Sequence, residues 1–280
     1  MLSRLSIKQK LILIMLIPLI VVILLAAKLA VDSFSSSKNL QSLDKVVVLS
    51  IKIGNLVHET QKERGMTAGF LGSKGEKFST EVVAQRLLVD EKLKEVNGFL
   101  NTFDKNVYSD EFLENLNNGL KKLQDLPNIR TGVSAFSINA AVAIDYYTDT
   151  NKLLLNVIAT ITKLSNSSAK VSQELVSYMN FLLSKERAGI ERAVGTNTFA
   201  KNSFGEGMKA KFYTLVAEQN AYMDSFLKVS DLEIVDFYKK TFQADSITEV
   251  EKMRKIALYS DLDSNFNIDA NVWFKQITEK

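Results

Sequence analysis

The amino-acid sequence predicts an all-α protein, and three observations carry that prediction. Only two prolines, Pro18 and Pro127, occur in 280 residues, and long stretches rich in Leu, Ala, Lys, Glu and Gln hold few glycines. From about residue 40, apolar residues recur at helical spacing almost to the end. Alternating Val/Ile/Thr runs bounded by turns, the mark of strands, do not occur in the sequence. A hydrophobic share of 46% against 24% charged residues makes the chain globular, with length enough for one large core or two smaller ones.

The first element is Leu11–Ala27, LILIMLIPLIVVILLAA, seventeen residues without a charge. If Lys28 snorkels, residues 11–31 form a helix just long enough to cross a bilayer, and Pro18 is tolerable within it. Arg4, Lys8 and Lys10 precede the run, so residues 1–10 are expected in the cytoplasm and the remainder outside. The run exceeds the apolar part of a cleavable signal peptide, which favours a single uncleaved anchor in a bacterial inner membrane with the rest in the periplasm.

Asp32–Asn39, DSFSSSKN, reads as a polar exit. Helices then follow, with breaks expected at 72–78, 102–109, 125–128, 195–207, 244–247 and 261–269. Pro127 forbids a helix through it, and Asn128–Thr131 opens the next one, expected to run from about Thr131 to Leu164 and onward as a long connecting helix.

An internal repeat organises the chain. Lys62-Glu63-Arg64 matches Lys185-Glu186-Arg187, and Gly72 matches Gly195 at the same offset of 123. Further on, Leu88-Val89 and Phe99-Leu100 match Leu215-Val216 and Phe226-Leu227, at an offset of 127. Helical units of this length that bury a common stripe fit antiparallel bundles, so two bundles in series are expected, over 32–165 and 166–280.

Each copy places an arginine on an apolar row. Ile53, Leu56, Thr60, Arg64, Thr67 and Leu71 follow steps of three and four, as do Val176, Met179, Leu183, Arg187, Ile190 and Val194. An unpaired guanidinium there costs several kcal/mol, so something anionic must meet it. One partner is a carboxylate from another helix, such as Asp145 or Asp149. The other is a small soluble anion held by planar guanidinium donors, with Thr60 and Thr67 supplying hydroxyls. The chain has 28 lysines and seven arginines, so arginine is reserved for places that need a fixed fork of donors: Arg64, Arg187, Arg192 and, at a helix start, Arg130. Arg86 and Arg254 read as ordinary surface residues. Gly65, Gly69 and Gly72 form a row permitting close approach, and Gly72 and Gly195 read as helix caps.

Several chemistries have no residues to support them. Without cysteine there is no thiol catalysis, and the single histidine, His58, has no partner for a zinc or haem site. No HExxH, phosphate-loop or nucleophile-elbow motif occurs, so an enzyme is not expected and neither is a cofactor. A net charge of +3 spread along the chain leaves no nucleic-acid footprint.

QKERGMTAGFLGSKG (Gln61–Gly75), LLSKERAGIERAVGTNTFA (Leu182–Ala200) and NVWFKQITEK (Asn271–Lys280) resemble the nitrate- and nitrite-sensing (NIT) domain family. With the spacing between them, the resemblance covers most of residues 40–280. It implies two tandem four-helix bundles, and arginines near their interface that hold nitrate or nitrite. By motif position these are Arg64 and Arg187, with Arg192 and Arg130 as further candidates. It also implies a sensory N-terminal part of a longer receptor, for which a methyl-accepting chemotaxis protein is the expected parent and a homodimer the expected state. The alternative is a ligand-free helical interaction or dimerisation module with its arginines paired internally.

Overall fold

The computed structural model describes residues 6–164, 169–260 and 265–280, although the side chains of some residues within helices, chiefly before residue 44, are not described. Ten α-helices and no strand occur among the described residues: α1 (Ile7–Gly72), α2 (Glu81–Leu100), α3 (Asp110–Leu123), α4 (Leu126–Ser134), α5 (Ala140–Leu164), α6 (Ala169–Lys201), α7 (Met208–Val229), α8 (Leu232–Thr241), α9 (Asp245–Tyr259) and α10 (Ala270–Glu279). The chain divides into two compact units, Met1–Val47 and Val48–Lys280. The expected boundary at 165–166 and the first part of the break at 261–269 lie outside the described residues.

In the first unit, residues 11–31 belong to the 66-residue α1. The expectation of a transmembrane anchor, and with it an inner-membrane and periplasmic placement, is corrected: among the described residues no helix is long and apolar enough to cross a membrane. The uncharged run ends at Lys10 and Lys28. At 1.5 Å per residue its seventeen residues reach about 26 Å, short of a ~30 Å hydrocarbon core.

In the second unit, the row from Ile53 to Thr67 is fully buried, Arg64 included. Local chemistry sets the helix ends. Ser109 Oγ accepts from Phe112 N at the start of α3, and Asp269 Oδ1 accepts from Asn271 N at the start of α10. Pro127 sits in the first turn of α4, where its missing N–H costs nothing. The expected helix from Thr131 is interrupted between Ser134 and Ala140, where Phe136 takes a left-handed φ of 53° and Ser137 N closes onto Gly132 O. Another interruption, at Ser230–Asp231, separates α8 from α7.

The largest fully buried side chain is Trp273 of α10. Its ring meets Phe199 of α6 and Phe212 of α7, and its Nε1 donates to Arg192 O at 3.1 Å. Gly195 makes this contact feasible. It lies inside α6 rather than capping it, and a Cβ there would stand 2.5 Å from the indole. Gly195→Ala gains up to about 1 kcal/mol of helix propensity but meets an indole held on three sides, and overpacking costs about 1–3 kcal/mol. The substitution is expected to lower Tm by a few degrees, measured by circular dichroism melting.

Candidate functional site

The site forms where the last turns of α1 meet the middle of α6. Arg64 reaches from α1 to α6 with its side chain wholly buried. Its Nη1 donates to Glu186 Oε1 at 2.7 Å and to Thr148 Oγ1 at 3.0 Å. Glu186 is itself buried, and its other oxygen accepts from Gln61 Nε2 at 2.6 Å. The expected carboxylates Asp145 and Asp149 are exposed on α5, and the arginine's anionic partner comes instead from the second copy of the repeat. Nε and Nη2 of Arg64, the side-on fork of the guanidinium, are buried and make no hydrogen bond within the protein. Gly189 lets α6 pass this fork, since a Cβ there would lie 2.8 Å from Nη2.

Arg192, six residues beyond Glu186 on α6, is the second buried guanidinium of the site. Its Nη1 donates to Thr278 Oγ1 at 2.9 Å, its plane lies 5.1 Å from the Phe274 ring centroid, and its Nε has no partner. No carboxylate pairs with it among the described residues. Burial, and then the positive charge of Arg64, push its pKa down to about 9, with Glu186 and Glu59 opposing only in part, so the charged form present at neutral pH carries a net cost. Lys185 is lowered as well, by burial and then by Arg192. Glu59, the other carboxylate nearby, already accepts from Lys62 and Gln85. Positive charge therefore exceeds its internal compensation here.

The remaining candidates from the sequence have other roles. Arg187 is a quarter exposed, pairs with Glu218 of α7 and stacks over Tyr222, so it stands outside the site. Its row fails because Val176, at the start of it, is exposed. Arg130 gives its Nε–Nη2 fork to Glu63 at 2.8 and 2.9 Å and its Nη1 to Asp90 at 2.7 Å; burial works against its charge, but these bonds outweigh that and raise its pKa. Thr60 Oγ1 donates to Asn151 Oδ1 at 2.5 Å, whereas Thr67 Oγ1 is buried and makes no hydrogen bond within the protein.

Arg254, expected as an ordinary surface residue, is instead buried. Its fork reaches Glu191 at 2.7 and 2.6 Å. The signal was there: Arg254 lies one turn from Val250 and beside Met253 and Ala257, all buried on α9. Its bond also revises the repeat. Glu63 and Glu191 each accept a bidentate arginine from a later helix, and each precedes a buried arginine with unpaired donors, Arg64 or Arg192. The equivalent steps are therefore Glu63-Arg64-Gly65 and Glu191-Arg192-Ala193, at an offset of 128. That lies within one residue of the 127 of the downstream matches and makes Arg192, rather than Arg187, the counterpart of Arg64.

His58, on α1, is half-buried, with Nε2 4.0 Å from Glu59 and Nδ1 unpartnered. Burial, then Lys185, lower its pKa to about 4, with Glu59 opposing. Because the folded pKa lies below the unfolded value of about 6.5, the unfolded chain binds the extra proton between them, and stability falls as pH drops through that window. His58→Gln is expected to flatten the loss of Tm between pH 6.5 and 4.

The description "nitrate and nitrite sensing" belongs to the family model that matches residues 55–280. The nitrate regulatory protein of Klebsiella oxytoca is 26% identical over 255 residues, which are 89% of this chain and 63% of that protein. The structure of the NasR transcription antiterminator matches at a TM-score of 0.79 with 25% identity, over 89% of this chain and 68% of that one. This chain thus spans less than two thirds of the curated relative's length. One relative is named a regulator and the other an antiterminator, so neither supports the chemotaxis parent or the periplasmic placement expected from the sequence. The match over residues 55–280 establishes that the chain belongs to the nitrate and nitrite sensing family.

Proposed function

We propose that this chain is the sensory unit of a signalling protein and that it binds nitrate or nitrite between Arg64 and Arg192. The observation that carries the reading is the Arg64 fork. In Arg130 and Arg254 the same Nε–Nη2 edge bonds both oxygens of a buried carboxylate, Glu63 or Glu191. In Arg64 that edge makes no bond within the protein, and the Nε of Arg192 makes none either. A planar anion with oxygens spaced like those of a carboxylate satisfies such a fork. The site holds the ligand and performs no chemistry on it.

Because Arg64 lies on α1 and Arg192 on α6, a bridging anion favours the helix arrangement that draws them together. Only a difference in affinity between two arrangements can signal. Division of the helices into bundles over 32–165 and 166–280, and pairing of two copies, belong to the same proposal. Sedimentation of the purified chain with and without nitrate checks the pairing. The regulator and antiterminator names of the relatives favour an output in gene regulation over chemotaxis.

One observation favours the ligand-free alternative: Arg64 already pairs with Glu186. Calorimetric titration with nitrate, nitrite, chloride and sulfate separates the two. Saturable binding of nitrate or nitrite supports the sensor, and binding of no anion supports internal pairing. Arg187→Ala is expected to leave nitrate affinity within about twofold of wild type, because Arg187 is tied to Glu218 outside the site. A loss of tenfold or more would return Arg187 to the ligand set.

A further inference from the structure

A cavity of about 740 Å³ opens beside the anion site, walled by α6, α7, α8 and α9 and bordered by His58 and Gln61 of α1 and the last turn of α10. It is lined by the cationic Lys185 and the buried Arg192, with His58, and by the apolar Phe181, Met223 and Phe237. Lys185 forms no ion pair within 4.0 Å among the described residues, and the carboxylates that face it, Glu59 of α1 and Glu186 of α6, are already bonded to Lys62 and Gln85, and to Arg64 and Gln61. Arg192 is at least nine-tenths buried with its Nε unpartnered. Rim acids are engaged too: Glu251 with Arg254, Glu279 with Lys275, and Glu174 with Lys170.

The α8 wall is equally unsatisfied. Helix α8 buries none of its residues, although it carries Ile234, Phe237 and Tyr238 towards the cavity, with Phe237 71% exposed. A helix with an apolar face and nothing buried gains stability only when something apolar is laid against it. The volume is far larger than a nitrate ion needs and falls in the range of sites for organic ligands, which are apolar with a few converging polar groups.

We infer that this cavity is a second ligand site, for an amphipathic monoanion: a carboxylate head on Lys185 and Arg192, and an apolar tail of about ten carbons along Phe181, Met223 and α8. Burial of such a tail removes apolar surface from water, and the head group restores the missing negative charge. This site stands on the cavity and on Lys185, and it shares Arg192 with the proposed nitrate site, so decanoate and nitrate are expected to compete there.

The test is calorimetric titration of the full chain with decanoate, beside decylamine, decanol and acetate at equal concentration. Decanoate is expected to bind one per chain, with decylamine, decanol and acetate at least tenfold weaker. Lys185→Met should weaken decanoate at least fivefold. Met223→Trp, which narrows the cavity along the path of the tail, should weaken decanoate at least fivefold while leaving the melting curve and the nitrate titration unchanged. Decylamine binding as well as decanoate would overturn the charged head. Decanoate uptake undiminished in a folded Met223→Trp chain, or no saturable uptake by the wild type, would overturn the site.

Discussion

Replacing Arg64 with lysine is expected to abolish nitrate binding while leaving the protein folded. Lysine can still place an ammonium near Glu186 and Thr148, so the buried carboxylate keeps a cationic partner. It cannot reproduce the parallel donors of the Nε–Nη2 edge. Two charge-assisted hydrogen bonds at about 1.5 kcal/mol or more each amount to a loss of about 100-fold or greater in affinity. Arg64→Ala is the blunter change. It leaves Glu186 buried with only Gln61 to bond it, and removal of one partner from a buried ion pair costs about 3–5 kcal/mol. Comparing the two variants by urea unfolding and by titration separates the arginine's structural role from its ligand role. A lysine variant that binds nitrate as well as wild type would mean the fork is not the binding edge.

The second large effect is at Glu191, which anchors α9 to α6. Its carboxylate accepts two bonds from Arg254 and one from Gln219 Nε2 at 2.6 Å, all buried. Glu191→Ala strands a guanidinium that keeps Glu251 and Gln219 Oε1 as partners but loses its bidentate pair. The expected cost is about 3 kcal/mol or more, read as a lower urea midpoint with little change in slope. Glu191→Leu combined with Arg254→Met should recover most of that loss, because a buried ion pair replaced whole by apolar side chains is often neutral. If the double variant is no more stable than Glu191→Ala alone, the pair contributes through packing rather than through charge.

Much of this was legible in the sequence, and the failures have identifiable causes. The helical class followed from proline scarcity and apolar spacing, and both are local properties. The α1 row was legible for the same reason, and Arg64 is where the spacing put it. The α6 row was not, because α6 is buried nearly all round from Gly189 to Thr196 and periodicity there no longer marks a single face. The stretch KERAGIERA contains two Glu-Arg steps, and identity of the triplet favoured the wrong one. Only the long-range partners, Arg130 for Glu63 and Arg254 for Glu191, reveal which step repeats. The break between Ser134 and Ala140 has neither glycine nor proline at its left-handed residue, Phe136, so it left no local signature.

The most direct test of the account is a crystal structure of the chain grown with nitrate. A planar three-lobed density is expected within hydrogen-bond distance of Arg64 Nε and Nη2 and of Arg192 Nε, with Glu186 still bonded to Arg64 Nη1 or displaced from it. Density at Arg187 instead, or an unchanged Arg64–Glu186 contact with no anion beside it at saturating nitrate, would contradict it.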